Sequence, residues 1–170
     1  MNMNYQSFIP ADFQPGSRVW VYQSSRLFLI SEAFEIENIL KTFTDNWLSH
    51  GTPVKGYANL LFGQLLVFIA DETATGVSGC STDSSVRVVK QIEEQFKVSM
   101  FDRQQLAFVV KDKIQLIPLA QFSYALENNF IGADTLYFNN LVATKEELMK
   151  NWLIPVKESW LKTRMKTLSN

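Results

Sequence analysis

The chain has 170 residues, 46% of them hydrophobic and 13% aromatic, and a formal net charge of −1. This suits one domain with a full core and gives no electrostatic bias toward nucleic acid. One cysteine excludes an internal disulfide and cysteine-rich metal sites, and one histidine, His50, weakens a structural zinc site. The first residues show no charged and apolar leader, and no apolar run approaches the ~20 residues of a membrane span. The expectation is a soluble cytoplasmic protein without membrane or nucleic-acid partners.

Residues 1–17, punctuated by Pro10, Pro15 and Gly16, read as an N-terminal arm that Phe8, Ile9 and Phe13 pin to the body. Residues 18–23, Arg-Val-Trp-Val-Tyr-Gln, are rich in β-branched and aromatic side chains and predict a strand. Ser31 offers an N-cap to a helix over about 32–49, in which Ile36, Ile39, Leu40, Phe43 and Trp47 recur at helical spacing. That helix places His50 in its last turn, before Gly51 and Pro53.

A hairpin follows, 54–61 and 65–70, turning near Phe62-Gly63-Gln64. Its second arm, Leu65-Leu66-Val67-Phe68-Ile69-Ala70, is apolar without alternation, as a strand covered on both faces should be. Val86, Val89, Ile92 and Phe96 mark a second helix over about 84–97. Strands at 106–110 and 114–117, a short helix near 119–128 and a short strand at 136–138 come next. Thr144 and Glu147 then form a capping box that opens a terminal helical region, broken or restarted at Pro155.

The order strand, helix, strand, strand, helix, strand predicts an α+β fold. Its specific form is a ferredoxin-like split βαβ sandwich: an antiparallel sheet with helices on one face, plus a C-terminal β-hairpin and helical extension. The chain divides into the arm (1–17), the α+β core (18–110) and the extension (111–170). In that topology strand 18–23 lies beside strand 65–70. The end of the first helix and the start of the second share one sheet edge, which brings His50 toward Asp71, Glu72, Cys80 and Asp83.

The stretch Ser78-Gly79-Cys80-Ser81-Thr82-Asp83-Ser84-Ser85 is the most distinctive in the chain. Three chemistries compete for it. Cys80 is a nucleophile if a helix N-terminus and His50 lower its thiol pKa, with Asp71 orienting the imidazole. Alternatively, Glu72, Gly79, Ser81, Thr82, Asp83, Ser84 and Ser85 line a ligand site, with backbone N–H groups and hydroxyls facing a small anion. In the structural reading Cys80 is a small buried residue and Asp83 or Ser84 caps the helix. Asp71, Glu72 and Asp83 lack EF-hand spacing, so neither a metal site nor a cofactor is expected. The expected function is a non-catalytic domain binding a small ligand, anion or protein partner at this loop. A thiol-dependent enzyme using Cys80 and His50 is the first alternative. An interaction module, with a homodimer or partner contact at Trp160, is the second.

Residues 18–23, Trp47, His50-Gly51, Asp71-Glu72, the 78–85 stretch, Asn139-Asn140-Leu141-Val142 and the segment Trp152 to Trp160 together resemble a small uncharacterised family of Bacteroidetes-type bacteria. Its members are often labelled ABC transporter ATPase. The resemblance spans nearly the whole chain and implies no known activity, cofactor or catalytic residue. The ATPase label implies a Gly-x-x-x-x-Gly-Lys-Ser/Thr loop, yet none of the seven glycines precedes a Lys-Ser or Lys-Thr pair, and Leu-Ser-Gly-Gly-Gln is absent. Calorimetric titration with ATP and magnesium is therefore expected to show no binding; micromolar affinity would refute this reading of the motif.

Overall fold

The computed structural model describes residues 3–71 and 79–166, the side chains of 79–81 and 166 excepted. Arg18–Gln23 forms β1, Ile30–Asp45 α1, Leu48–Ser49 β2, Thr52–Pro53 β3, Lys55–Leu61 β4 and Leu65–Asp71 β5. Gly79–Phe96 forms α2, Gln105–Val110 β6, Lys113–Pro118 β7, Phe122–Glu127 α3 and Leu136–Phe138 β8. Lys145–Asn151, Leu153–Pro155 and Lys162–Lys166 are α4, β9 and α5. The fold is α+β with antiparallel sheets: one of order β1-β5-β4, a two-stranded ribbon β2-β3, and one of order β7-β6-β8-β9.

β5 is the centre of the first sheet. It pairs with β1 in the register Val21↔Val67 and with β4 in the register Asn59↔Val67. Residues 65–70 are all 0% exposed, which is why this strand shows no alternation. Alternate side chains enter two cores. Leu66 and Phe68, with Tyr22 and Leu60, face Ile36 and Leu40 of α1 and Val89 and Ile92 of α2. Leu65, Val67 and Ile69, with Val19, face Tyr5, Ile9, Phe13, Phe138, Leu148 and Trp152. Both helices thus cover one face, and the arm, α4 and the second sheet cover the other.

The two helices run antiparallel. Gln95 donates to Glu35 at 3.1 Å near one end. Arg26 donates to both Glu32 oxygens (2.7 and 2.9 Å) and to the Phe96 carbonyl (2.8 Å), tying the start of α1 to the end of α2. Glu32 also accepts the Leu29 N–H at 2.7 Å, so Glu32 rather than Ser31 serves the helix start. These bonds, that from Arg26 foremost, hold the Glu32 carboxyl down to about 2.

Three expectations need correction. Residues 105–110 do not join the first sheet: β6 pairs with β7 and, at Phe108↔Tyr137, with β8. The outer edge of β1 is taken instead by the chain before α4. There the Val19 N–H donates to the Ala143 carbonyl at 2.9 Å, Arg18 bridges Thr144, and the Lys145 N–H reaches the Ser17 carbonyl at 2.8 Å. Second, α1 ends at Asp45 and α2 begins at Gly79, so neither helix has the expected bounds. Third, the terminal helical region breaks before Pro155 rather than at it: α4 ends at Asn151, and residues 153–155 are extended and pair with β8.

Half of the capping box forms: Thr144 Oγ1 accepts from the Glu147 N–H at 3.2 Å, but the Glu147 carboxylate takes the N–H of Ala143, one residue before the cap, at 2.8 Å. The arm is pinned by Ile9 and Phe13 as expected, but Phe8 is exposed. Tyr5 takes its place, donating to the Leu148 carbonyl at 2.6 Å, and burial pushes its phenol up to about 12. The buried Lys145 donates to the carbonyls of Ala11 (3.0 Å) and Phe13 (2.6 Å).

Trp152 is 0% exposed, meets Tyr5 edge-on at 4.8 Å, and donates to Asn140 Oδ1 at 2.9 Å. Trp152→Ala is expected to cost about 3–5 kcal/mol, read from urea unfolding; a loss below about 1 kcal/mol would show that the second core does not depend on it.

Candidate functional site

The antiparallel helix pair leaves a groove of about 610 Å³ where the end of α1 meets the first half of α2. From α1 and its exit come Asn38, Ile39, Thr42, Phe43, Asn46, Trp47 and Leu48; from α2 come Ser84, Arg87, Val88 and Gln91. The α2 set follows the spacing i, i+3, i+4, i+7, one helical face. Among the described residues Arg87 is the only charged one lining the groove, and it forms no ion pair with any of them.

Trp47 sits beneath this groove because α1 stops short. The Asn46 N–H turns back to the Phe43 carbonyl at 3.2 Å, and the chain enters the β2–β3 ribbon. The Trp47 indole is 2% exposed and packs on Phe43 (4.7 Å between rings), Trp20 (6.1 Å) and the backbone of Gly56. A Cβ at residue 56 would lie 2.4 Å from Trp47 Cε3, so only glycine admits the ring here. The Trp47 indole N–H is buried without an acceptor. An unmade hydrogen bond of that kind costs about 1–3 kcal/mol, and buried donors are rarely left so.

The residues expected at this end take different local settings. His50 is not in a helix. It is the exposed tip of the β2–β3 turn, where His50 (φ 49) and Gly51 (φ 79) both take the left-handed conformation, the backbone of a two-residue hairpin loop. The ribbon lies against α2. Asp71 is buried at the end of β5, opposite Lys55 in register, with Lys55 Nζ 3.9 Å from its carboxylate. Lys55 also holds Asp12, at 3.0 Å from the carboxylate and 2.6 Å from the carbonyl, which ties Asp71 to the arm.

Gly79, Cys80, Ser81, Thr82, Asp83, Ser84 and Ser85 lie in the first two turns of α2, not in a loop. Ser78 and Glu72, and the side chains of Cys80 and Ser81, lie outside the described residues, so the proximity of Cys80 to His50 does too. Ser85 is wholly buried; its hydroxyl donates to the Thr82 carbonyl at 2.8 Å and meets Tyr22 Oη at 3.4 Å, a helix-to-sheet contact. Asp83 is exposed and Ser84 borders the groove. Among the described residues no three His, Cys, Asp or Glu side chains are grouped to hold a metal ion, and no helix is long and apolar enough to cross a membrane.

A second concavity, unsuspected from the sequence, lies at the seam where β1 and β6 part. It holds about 90 Å³ and includes Trp160 among its lining residues. Gln23 spans the seam: its Nε2 donates to the Gln105 carbonyl at 3.0 Å, and its Oε1 accepts from Asn140 Nδ2 at 3.0 Å. With Trp152 Nε1 on Asn140 Oδ1, a side-chain relay replaces the missing strand ladder. Trp160 is 37% exposed, and its indole N–H donates to Tyr137 Oη at 3.2 Å. Arg87, and the contact of Gln23 with Asn140, escaped the sequence reading. Only Arg87 carried a local signal, its place on the Ser84–Gln91 stripe.

No family model, curated protein or solved structure matches this chain.

Because Gly56 makes room for Trp47, Gly56→Ala is expected to lower stability by about 1–3 kcal/mol and to displace the indole, seen as a changed tryptophan near-ultraviolet signal. An unchanged signal and midpoint would mean that the groove floor is not set by this contact.

Proposed function

We propose that this protein is a non-catalytic binding domain whose site is the α1–α2 groove at the start of α2. The ligand class is a small monoanion with an apolar body, such as a short aliphatic or aryl carboxylate. The observation that carries this is a groove lined by Trp47, whose buried indole N–H has no partner among the described residues, and by Arg87, the one charged described residue there. Phe43, Ile39 and Val88 offer apolar contact, and Arg87 offers a forked donor matched to a carboxylate. Asn38, Asn46, Gln91 and Ser84 add neutral polar groups at the margin, a pattern usual for small-molecule sites.

The same proposal gives the fold its finer name. The unit β1–α1–β4–β5–α2 reads as a ferredoxin-like split βαβ arrangement whose fourth strand has gone to the second sheet. The alternative of a thiol enzyme finds no support in His50, which stands at an exposed hairpin tip.

Calorimetry or thermal-shift titration with hexanoate and phenylacetate, against hexanol as the uncharged control, tests the proposal. The carboxylates are expected to bind and hexanol not, with Arg87→Gln weakening binding about tenfold or more, the cost of one charge-assisted hydrogen bond. Absence of carboxylate binding, or binding indifferent to Arg87→Gln, would remove the groove as the site.

A further inference from the structure

We propose that the seam between β1 and β6 is a second, separate binding site, for a small uncharged molecule with an amide edge: a lactam or a primary carboxamide. The argument starts from strand parity. The Val19 N–H leaves β1 on its outer side, toward the Ala143 carbonyl, whereas the Ser24 N–H turns to the β5 side, toward the Gln64 carbonyl. Odd residues of β1 therefore present both main-chain groups outward. Outward from Val21 there is no strand, because β6 has turned to β7 and β8. Val21 lines the cleft and its N–H has no described hydrogen-bond partner there. One residue's N–H and C=O at an open strand edge form an adjacent donor and acceptor, the complement of an amide edge.

The remaining walls fit that ligand. Tyr137 lines the cleft and its hydroxyl, having accepted from Trp160, keeps its own proton to donate. Tyr22 and Phe101 form an edge-on aromatic wall, with ring centroids 5.6 Å apart. Phe101, Leu141 and Trp160 make an exposed apolar mouth. Asp102 and Arg103, one charge of each sign, both line the cleft, so its described lining carries no net formal charge. The space of about 90 Å³ opens at this mouth, so it seats the amide edge of a compact molecule and leaves the rest of its ring between the apolar side chains.

The test uses the whole chain and three ring compounds of one shape: 2-pyrrolidinone, cyclopentanone and cyclopentane. In two-dimensional ¹H–¹⁵N spectra, 2-pyrrolidinone is expected to shift the Val21 amide and the Trp160 indole resonance and to bind at least tenfold more tightly than cyclopentanone. Tyr137→Phe should weaken it about tenfold while the spectrum stays that of a folded protein. Phe101→Ala, at the mouth, should weaken it severalfold if Tyr137→Phe perturbs folding. Equal binding of cyclopentane would reduce the cleft to an apolar void and overturn the proposal. So would an unshifted Val21 amide, or shifts confined to Trp47 and its neighbours.

Discussion

The structure depends on one constraint: β5 is buried on both faces. A strand of alternating burial needs one covering layer; Leu65 to Ala70 need two. The helices α1 and α2 supply the first through Leu66 and Phe68, and the arm, α4 and the second sheet supply the other through Leu65, Val67 and Ile69. Each fully buried side chain of this size contributes about 1.5–3 kcal/mol relative to exposure. The second layer thus makes residues far apart in sequence obligatory to each other. Tyr5 and Leu148, joined by a hydrogen bond across 143 positions, are one result.

The covering layer also explains the seam. To lie over β5, the chain before α4 must pass the outer edge of β1, and it takes the hydrogen bonds at Val19 that a fourth strand would use. β6 is then held beside β1 by side chains rather than by a ladder. Gln23, Asn140 and Trp152 form a relay in which each donor described has an acceptor. A satisfied, half-buried amide network fixes position more sharply than apolar contact alone, so the gap between the sheets is a constructed feature.

What the sequence disclosed follows the range of the interactions involved. The apolar run 65–70, the hairpin at Phe62-Gly63, the Thr144 cap of α4 and the pairing of β1 with β5 rest on local pattern or on strands that neighbour in the fold's simplest topology. All of these appear in the structure. The placement of 105–110 failed because strand propensity names a strand but not its partner; the decisive competitor for the β1 edge lay about 125 residues downstream, at 143–144. His50 was misplaced for a local reason. Helical periodicity continued through Trp47, but a short ribbon with a left-handed His50-Gly51 turn satisfies the same apolar spacing. At the candidate site, the helical stripe Ser84–Gln91 was readable, but its pairing with Asn38–Leu48 required the antiparallel helix geometry.

The ribbon β2–β3 then has a physical consequence for the groove. Had α1 run on through residue 49, Trp47 would project from a continuing helix and the space beside α2 would be occupied by another turn. Ending α1 at Asp45 turns Trp47 down onto Gly56, where a missing Cβ admits the indole. The helix axis stops, the ring becomes a floor, and Leu48 and the first half of α2 become walls. The same displacement strands the indole N–H away from backbone acceptors. The hollow and its unmet donor therefore have a single origin in the early end of one helix.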